Sequence, residues 1–164
     1  MNKRPSQESQ NDPSAVEAPN KEQQGNSNEF PIVGIGASAG GLEAFTQLLN
    51  HLPTDTGMAF VLVQHLAPNH KSLLKEILSR ATQMAVSQVV DSTPVEPNHV
   101  YVIPPNKEMV ISQGVLKLMP RQKVRGLAMT VDKFFLSLAE DRGSKAIAVV
   151  LSGGDSDGAL GAKA

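Results

Sequence analysis

The sequence predicts an α/β fold, in which a mainly parallel, doubly wound sheet carries helices on both faces and a small antiparallel hairpin lies beside it. Three observations predict this fold. Apolar runs that suit buried strands, such as Ala59–Val63 and Ala146–Leu151, alternate with segments whose apolar residues recur at helical spacing. Glycine-rich turns follow the first and the last of the predicted strands. Gln113 and Gly114 separate two further apolar runs at the spacing of a hairpin.

The predicted strands begin shortly after Phe30. They are short apolar runs bounded by glycine, proline or polar residues, and the two around Gln113 and Gly114 form the hairpin. In chain order they are Ile32–Gly36, Ala59–Val63, Val100–Ile103, Val110–Ser112, Val115–Leu118 and Ala146–Leu151.

Three predicted helices lie between these strands, each with one apolar face. The first presents Leu42, Phe45, Leu49 and Leu52. The second presents Leu73, Leu74, Ile77 and Leu78, with Lys75, Glu76 and Arg80 on its outer face. The third presents Val131, Phe134, Phe135 and Leu138, and Thr130 is the residue we expect to cap its N-terminus.

Composition limits the function classes. With 164 residues, the chain has room for one domain. It carries 15 basic and 16 acidic residues and no cysteine, which predicts neither a nucleic-acid surface nor a disulfide or thiolate site. Residues 1–29 are polar and predict a disordered tail, whereas residues 30–164 predict a catalytic domain. Since neither a secretory signal nor a membrane-spanning run is visible, we expect a soluble cytoplasmic protein.

Chemically useful side chains follow three of the predicted strands. Ser38 follows the first strand and His65 the second, whereas Asp155 and Asp157 follow the last. In doubly wound sheets, ligands bind outside the carboxyl ends of the strands. The sequence therefore predicts a site that combines a serine, a histidine and a carboxylate.

The turn around Ser38 has three interpretations of similar weight. Gly36, Ser38 and Gly40 match the nucleophile elbow, which presents a serine hydroxyl between a strand and a helix. Gly34, Gly36 and Ala39 also match a dinucleotide-binding fingerprint, but that motif needs an acidic residue after the second strand. Gln64 and His65 stand there instead. A glycine-rich turn without chemistry is the third interpretation.

The possible partners of Ser38 have simpler alternatives of their own. A serine hydroxyl needs a base, and His65 supplies one if the first two strands are neighbours. A metal pair of His65 with His70 lacks a third ligand, and His51 and His99 are expected at the surface or in loops. Asp155 or Asp157 would either cap the following helix or orient the histidine, whereas a Ca²⁺ loop lacks its later glutamate.

The motifs in combination resemble a known family. The segments GIGASAGGLEAF, AFVLVQHLAPNHKSLLKEILSR, VYVIPPN and VLSGGDSDGALG are similar to the catalytic domain of the chemotaxis protein-glutamate methylesterases, the CheB family. The segment GMAFVLVQHLAPNHKSLL is most similar to the version in fused methylesterase–methyltransferase (CheB/CheR) proteins. The resemblance covers nearly everything from Phe30 to Ala164.

The resemblance implies a Ser–His–Asp triad of Ser38, His65 and Asp157, with the aspartate role falling on Asp157 and not on Asp155. It implies hydrolysis of glutamate methyl esters on a methylated chemoreceptor, deamidation of receptor glutamine, and no metal or organic cofactor. A fused or separate methyltransferase is an expected partner, whereas nucleic acid and membrane insertion are not expected.

Three departures from the family pattern leave an alternative function open. Gly154 stands where the family has methionine or a small polar residue, and Asp155 stands where it has glycine. Residues 1–29 are not expected to form the receiver domain that many members carry. The family domain is expected to continue beyond Ala164, which predicts a C-terminally truncated domain. The alternative is therefore a weakly active or inactive signalling and binding module, with nucleotide binding ranked third.

Overall fold

The structure, a computed structural model, describes residues 30–38, 40–64, 73–121, 129–152 and 157–164. Within these ranges the strands are β1 (Ile32–Ala37), β2 (Ala59–Gln64), β3 (Ala85–Gln88), β4 (Thr93–Pro94), β5 (His99–Val102), β6 (Lys107–Ser112), β7 (Val115–Pro120) and β8 (Ala146–Ser152). The helices are α1 (Gly41–His51), α2 (Leu74–Ser79) and α3 (Thr130–Arg142), and 3₁₀ turns cover Gly143–Lys145 and Gly161–Lys163. No helix in these ranges combines the length and apolar character needed to cross a membrane.

Five strands form a parallel sheet in the order β3-β5-β2-β1-β8. The predicted parallel sheet is thereby confirmed. β1 and β2 are neighbours in it, which is the condition that the sequence left open for contact between Ser38 and His65. β3 was missed, because AVSQ lacks the continuous apolar run that marked the other strands.

The helices cover both faces of this sheet, as the sequence predicts. On one face, α1 and α2 pack Phe45, Leu49 and Leu78 against the sheet. On the other face, α3 packs Phe134 and Phe135 among a second set of buried residues. β1 lies between these layers, so its side chains alternate between the two cores.

The antiparallel part is a separate three-stranded sheet in the order β4-β7-β6. The turn between β6 and β7 places Gln113 and Gly114 at φ of 52° and 73°, the positive values that a tight hairpin turn requires. The predicted hairpin is confirmed and extends further on both sides. The predicted strand Val100–Ile103 corresponds to β5, which pairs with β2 and β3 in the parallel sheet and not with the hairpin.

Gly34 and Gly36 lie inside β1 on the face that α3 covers. A Cβ atom on Gly36 would lie 2.4 Å from Val131 Cγ1, and one on Gly34 would lie 2.9 Å from Leu138 Cδ2. These glycines therefore allow α3 to pack closely on the sheet. Their placement counts against the dinucleotide interpretation, which needs glycines in the turn after the strand.

Three local predictions were wrong. The first concerns the apolar face of α2, which begins at Leu74. Leu73 and Ile77 are 66% and 37% exposed. Residues four apart share a helix face, and only the face with Leu74 and Leu78 contacts the core. β8 is at the edge of the described sheet, so Ile147 remains exposed although the strand is apolar throughout. His99 lies in β5 and stacks on a tyrosine ring, not in a surface loop.

Candidate active site

The carboxyl ends of β2, β1 and β8 lie side by side. Ala37, the last residue of β1, pairs with Gln64 at the end of β2. On its other side Ala37 pairs with Ser152 at the end of β8, after a register shift between Gly36 and Ala37. The three chain segments that leave these strands therefore start from one edge of the sheet.

Ser38 is the first residue after β1 and is half-buried. Its carbonyl oxygen accepts hydrogen bonds from the Gly41 N–H at 2.9 Å and from Gln64 Nε2 at 3.2 Å. Gly41 begins α1, and Gly40 before it has right-handed helical angles of −86° and −6°. Ser38 thus occupies the strand–turn–helix context that a nucleophile elbow requires.

Gln64 ties the end of β2 to the serine turn, a contact that the sequence did not reveal. The side chain is 9% exposed, and its amide crosses from β2 to the Ser38 carbonyl. His65 directly follows Gln64 in the chain but lies outside the described residues, as do His70, Ala39 and Asp155. The only signal for Gln64 was its position beside the predicted histidine.

Asp157 is buried and faces the start of α3. Its Oδ2 accepts a hydrogen bond from the Val131 N–H at 3.0 Å, and its Oδ1 accepts one from the Asp132 N–H at 2.9 Å. The first N–H groups of a helix have no partner within the helix, so a carboxylate here caps the N-terminus and benefits from the helix dipole.

The prediction that Thr130 caps α3 was therefore wrong. Thr130 is the first residue of the helix, and its buried Oγ1 has no hydrogen-bond partner among the described residues. The cap comes instead from Asp157, 26 residues away from Val131 in sequence. Only the tertiary structure brings these groups together.

An open groove of about 500 Å³ lies between α1 and α2 and begins at the serine turn. Gly40 lines its start, and exposed polar side chains of α1 line its length, with Ile77 on the α2 side. Among the described residues, no three histidine, aspartate or glutamate side chains are grouped so as to hold a metal ion.

Comparisons with known proteins agree with this architecture. The crystal structure of the Thermotoga maritima CheB methylesterase catalytic domain is similar with a TM-score of 0.73 and 29% sequence identity, over 80% of this chain and 72% of that one. Protein-glutamate methylesterase/protein-glutamine glutaminase 1 of Myxococcus xanthus is 34% identical over 137 residues, and the Salmonella typhimurium enzyme is 32% identical over 134.

These curated relatives are longer proteins. The alignments include 81% and 79% of this chain but 40% and 38% of the two relatives, so the chain spans about two fifths of their length. The sequence profile of the family described as CheB methylesterase matches residues 33–164, from the second residue of β1 to the end of the sequence given. The chain therefore belongs to the CheB methylesterase family.

Proposed function

We propose that this chain hydrolyses glutamate methyl esters on a methylated chemoreceptor, with Ser38 as the nucleophile. One observation carries the proposal: the ends of β2, β1 and β8 are adjacent, since Ala37 pairs with Gln64 on one side and with Ser152 on the other. The segments that hold Ser38, His65 and Asp157 leave the sheet at these three ends. A serine, a base and an orienting carboxylate must lie close together to act as a triad, and segments that start from adjacent strand ends allow this.

The proposed reaction has two steps. In the first step, Ser38 Oγ attacks the ester carbonyl, His65 takes the serine proton, and the proton then passes to the departing methanol. In the second step, water attacks the glutamyl ester of Ser38 with His65 as base, which releases glutamate and restores the serine. The same route with a glutamine side chain releases ammonia, so deamidation is part of the proposal.

The start of α1 is the proposed oxyanion site. α1 begins at Gly41, three residues after Ser38, and the first N–H groups of a helix have no partner within the helix. Backbone N–H groups near Ala39 and Gly40 would stabilise the negative oxygen of the tetrahedral intermediate. The role proposed for Asp157 is to hold the His65 imidazole in the orientation and tautomer that accept the serine proton.

Replacing the nucleophile tests the proposal. Ser38→Ala should lower methanol release from a methyl-esterified receptor fragment by about 10⁴-fold or more, because the covalent route is lost. Ser79→Ala is the matched control, since Ser79 is exposed on α2 and donates only to the Lys75 carbonyl among the described contacts. That control should keep the parent rate. Near-normal methanol release by Ser38→Ala would show that the proposed mechanism is wrong.

The alternative is a binding module without turnover. One observation favours this alternative. Both carboxylate oxygens of Asp157 accept hydrogen bonds from the N-terminus of α3, which is a structural role. Tight binding of the methylated receptor fragment without methanol release, by both the parent and Ser38→Ala, would support the module.

The similarity to fused methylesterase–methyltransferase proteins stays a prediction, which the full reading frame of the gene tests.

A further inference from the structure

A second carboxylate, that of Asp132, lies at the same helix end as Asp157. Asp132 is in the first turn of α3 and is 4% exposed. Its Oδ1 accepts a hydrogen bond from the Gly161 N–H at 2.6 Å. Its Oδ2 is also buried and has no hydrogen-bond partner among the described residues.

The contacts between the two segments are reciprocal. Asp157 accepts from backbone N–H groups of α3, and Asp132 of α3 accepts from a backbone N–H four residues after Asp157. Between these points the chain is compact, since the Ala162 N–H donates to the Gly158 carbonyl at 3.0 Å. Residues 157–161 are therefore held against α3 at both ends of the segment.

Glycines make this close contact possible. A Cβ atom on Gly161 would lie 2.7 Å from Phe135 Cβ and 2.8 Å from the Asp132 carbonyl oxygen. Gly158 has a φ of 94°, and a Cβ atom there would lie 2.8 Å from Val131 Cγ1. The backbone after Asp157 thus lies directly on the first turns of α3, where Asp132 reaches it.

The hydrogen bond to Gly161 accounts for an acceptor side chain at position 132. A buried carboxylate costs free energy unless its oxygens are satisfied, and here one oxygen lacks a donor among the described residues. Burial of an apolar side chain at the same position would avoid that cost. What Asp132 adds is a short hydrogen bond that fixes the segment carrying Asp157.

We propose that Asp132 is a positioning residue, which holds the turn after Asp157 so that the Asp157 carboxylate keeps its place at the N-terminus of α3. This inference rests on the proposed function, in which Asp157 orients His65. Loss of the Asp132–Gly161 hydrogen bond frees one end of the segment. The Asp157 carboxylate then leaves its place for part of the time, and the rate falls without loss of substrate binding.

The test compares Asp132→Ala with Asp132→Asn. Alanine removes the acceptor for the Gly161 N–H, whereas the asparagine carbonyl keeps an acceptor and removes only the charge. Asp132→Ala should lower kcat for methanol release by about 10-fold to 100-fold with KM within about 2-fold, because a small misplacement of a catalytic group is costly. Asp132→Asn should stay within about 3-fold of the parent in kcat. Glu140→Ala, at an exposed position of the same helix, is the matched control and should not change the rate.

Amide hydrogen exchange gives a second measurement that does not depend on catalysis. In Asp132→Ala, the amides of residues 131 and 132 should exchange faster, since Asp157 no longer caps them steadily, while the Leu138 amide stays protected. In Asp132→Asn, the protection of all three amides should stay at the parent level. If Asp132→Ala does not fold, Asp132→Ser gives the same comparison, because its hydroxyl ends one atom short of the carboxylate oxygens.

The outcomes separate this inference from the proposed function. Normal kcat and unchanged amide protection in Asp132→Ala would overturn the positioning role. Equal impairment of Asp132→Asn and Asp132→Ala would also overturn it, because the charge and not the hydrogen bond would then be responsible. Faster exchange in Asp132→Ala without methanol release by the parent protein would support the positioning of Asp157 and refute the esterase.

Discussion

Gly36→Ala tests the close packing of α3 on β1. The added Cβ would lie 2.4 Å from Val131 Cγ1, whereas carbon atoms pack favourably at roughly 3.5–4.0 Å. The two groups must therefore move apart by about 1.1 Å or more. Val131 has little room to yield, because it is 2% exposed and its branched side chain has one strongly preferred rotamer in a helix.

The expected loss of stability combines two effects. Overpacking a well-packed core costs about 1–3 kcal/mol. Replacing glycine in a strand interior recovers about 0.5–1 kcal/mol, because alanine has less conformational freedom to lose. Because the added Cβ meets a buried side chain that cannot easily yield, we expect an overpacking cost in the upper half of that range, about 2–3 kcal/mol. Gly36→Ala should thus lower the free energy of unfolding by about 1–2.5 kcal/mol.

A double-mutant cycle identifies the clash. Val131→Ala alone should cost about 1.6 kcal/mol for two buried carbon groups, but it also makes room for a Cβ at position 36. The double variant should therefore be more stable than the sum of the single effects by about 1 kcal/mol or more. Urea unfolding followed by circular dichroism measures each free energy.

The control uses the opposite face of β1. Val33 packs in the α1 and α2 core and does not face α3, so Val33→Ala and Gly36→Ala should be additive within about 0.5 kcal/mol. Parent-like stability of Gly36→Ala, or additivity of Gly36→Ala with Val131→Ala, would show that α3 does not lie on β1 as described.

Two further predictions concern the side chains around β5. Burial lowers the pKa of His99 from its ordinary value of 6.5, while Glu96 partly opposes the shift. The unfolded chain then binds a proton at His99 more readily than the folded chain does, so His99 lowers the free energy of unfolding as the pH falls below about 6.5. Between about pH 7.5 and 5.5, the urea midpoint of His99→Gln should therefore fall less than that of the parent. Equal falls would contradict this burial. The buried Tyr101 hydroxyl accepts the Glu96 N–H at 2.9 Å and donates to the Pro94 carbonyl at 3.3 Å. Tyr101→Phe should cost about 1–2 kcal/mol in urea unfolding and leave the rate per folded molecule unchanged, and a parent-like free energy of unfolding would refute the importance of these bonds.

The fold was largely predictable because its signals are local. Apolar runs of strand length and helical spacing predicted β1, β2, β8, α1 and α3, and the Gln113–Gly114 pair predicted the hairpin. Local signals failed where a segment's neighbours decide its burial. The exposed Ile77 and the edge position of β8 follow from what packs beside them, which no window of sequence contains.

The sequence by itself determined which residues follow the strands: Ser38 after β1, His65 after β2 and Asp157 after β8. Only the tertiary structure decided that these three strands are neighbours, because pairing depends on the order of strands in the sheet. It also decided that Gly36 serves the packing of α3 and that Asp157, and not Thr130, caps that helix. The physical reason is the same in each case, since a hydrogen bond or a close contact depends on distance in space, whereas a motif records only distance along the chain.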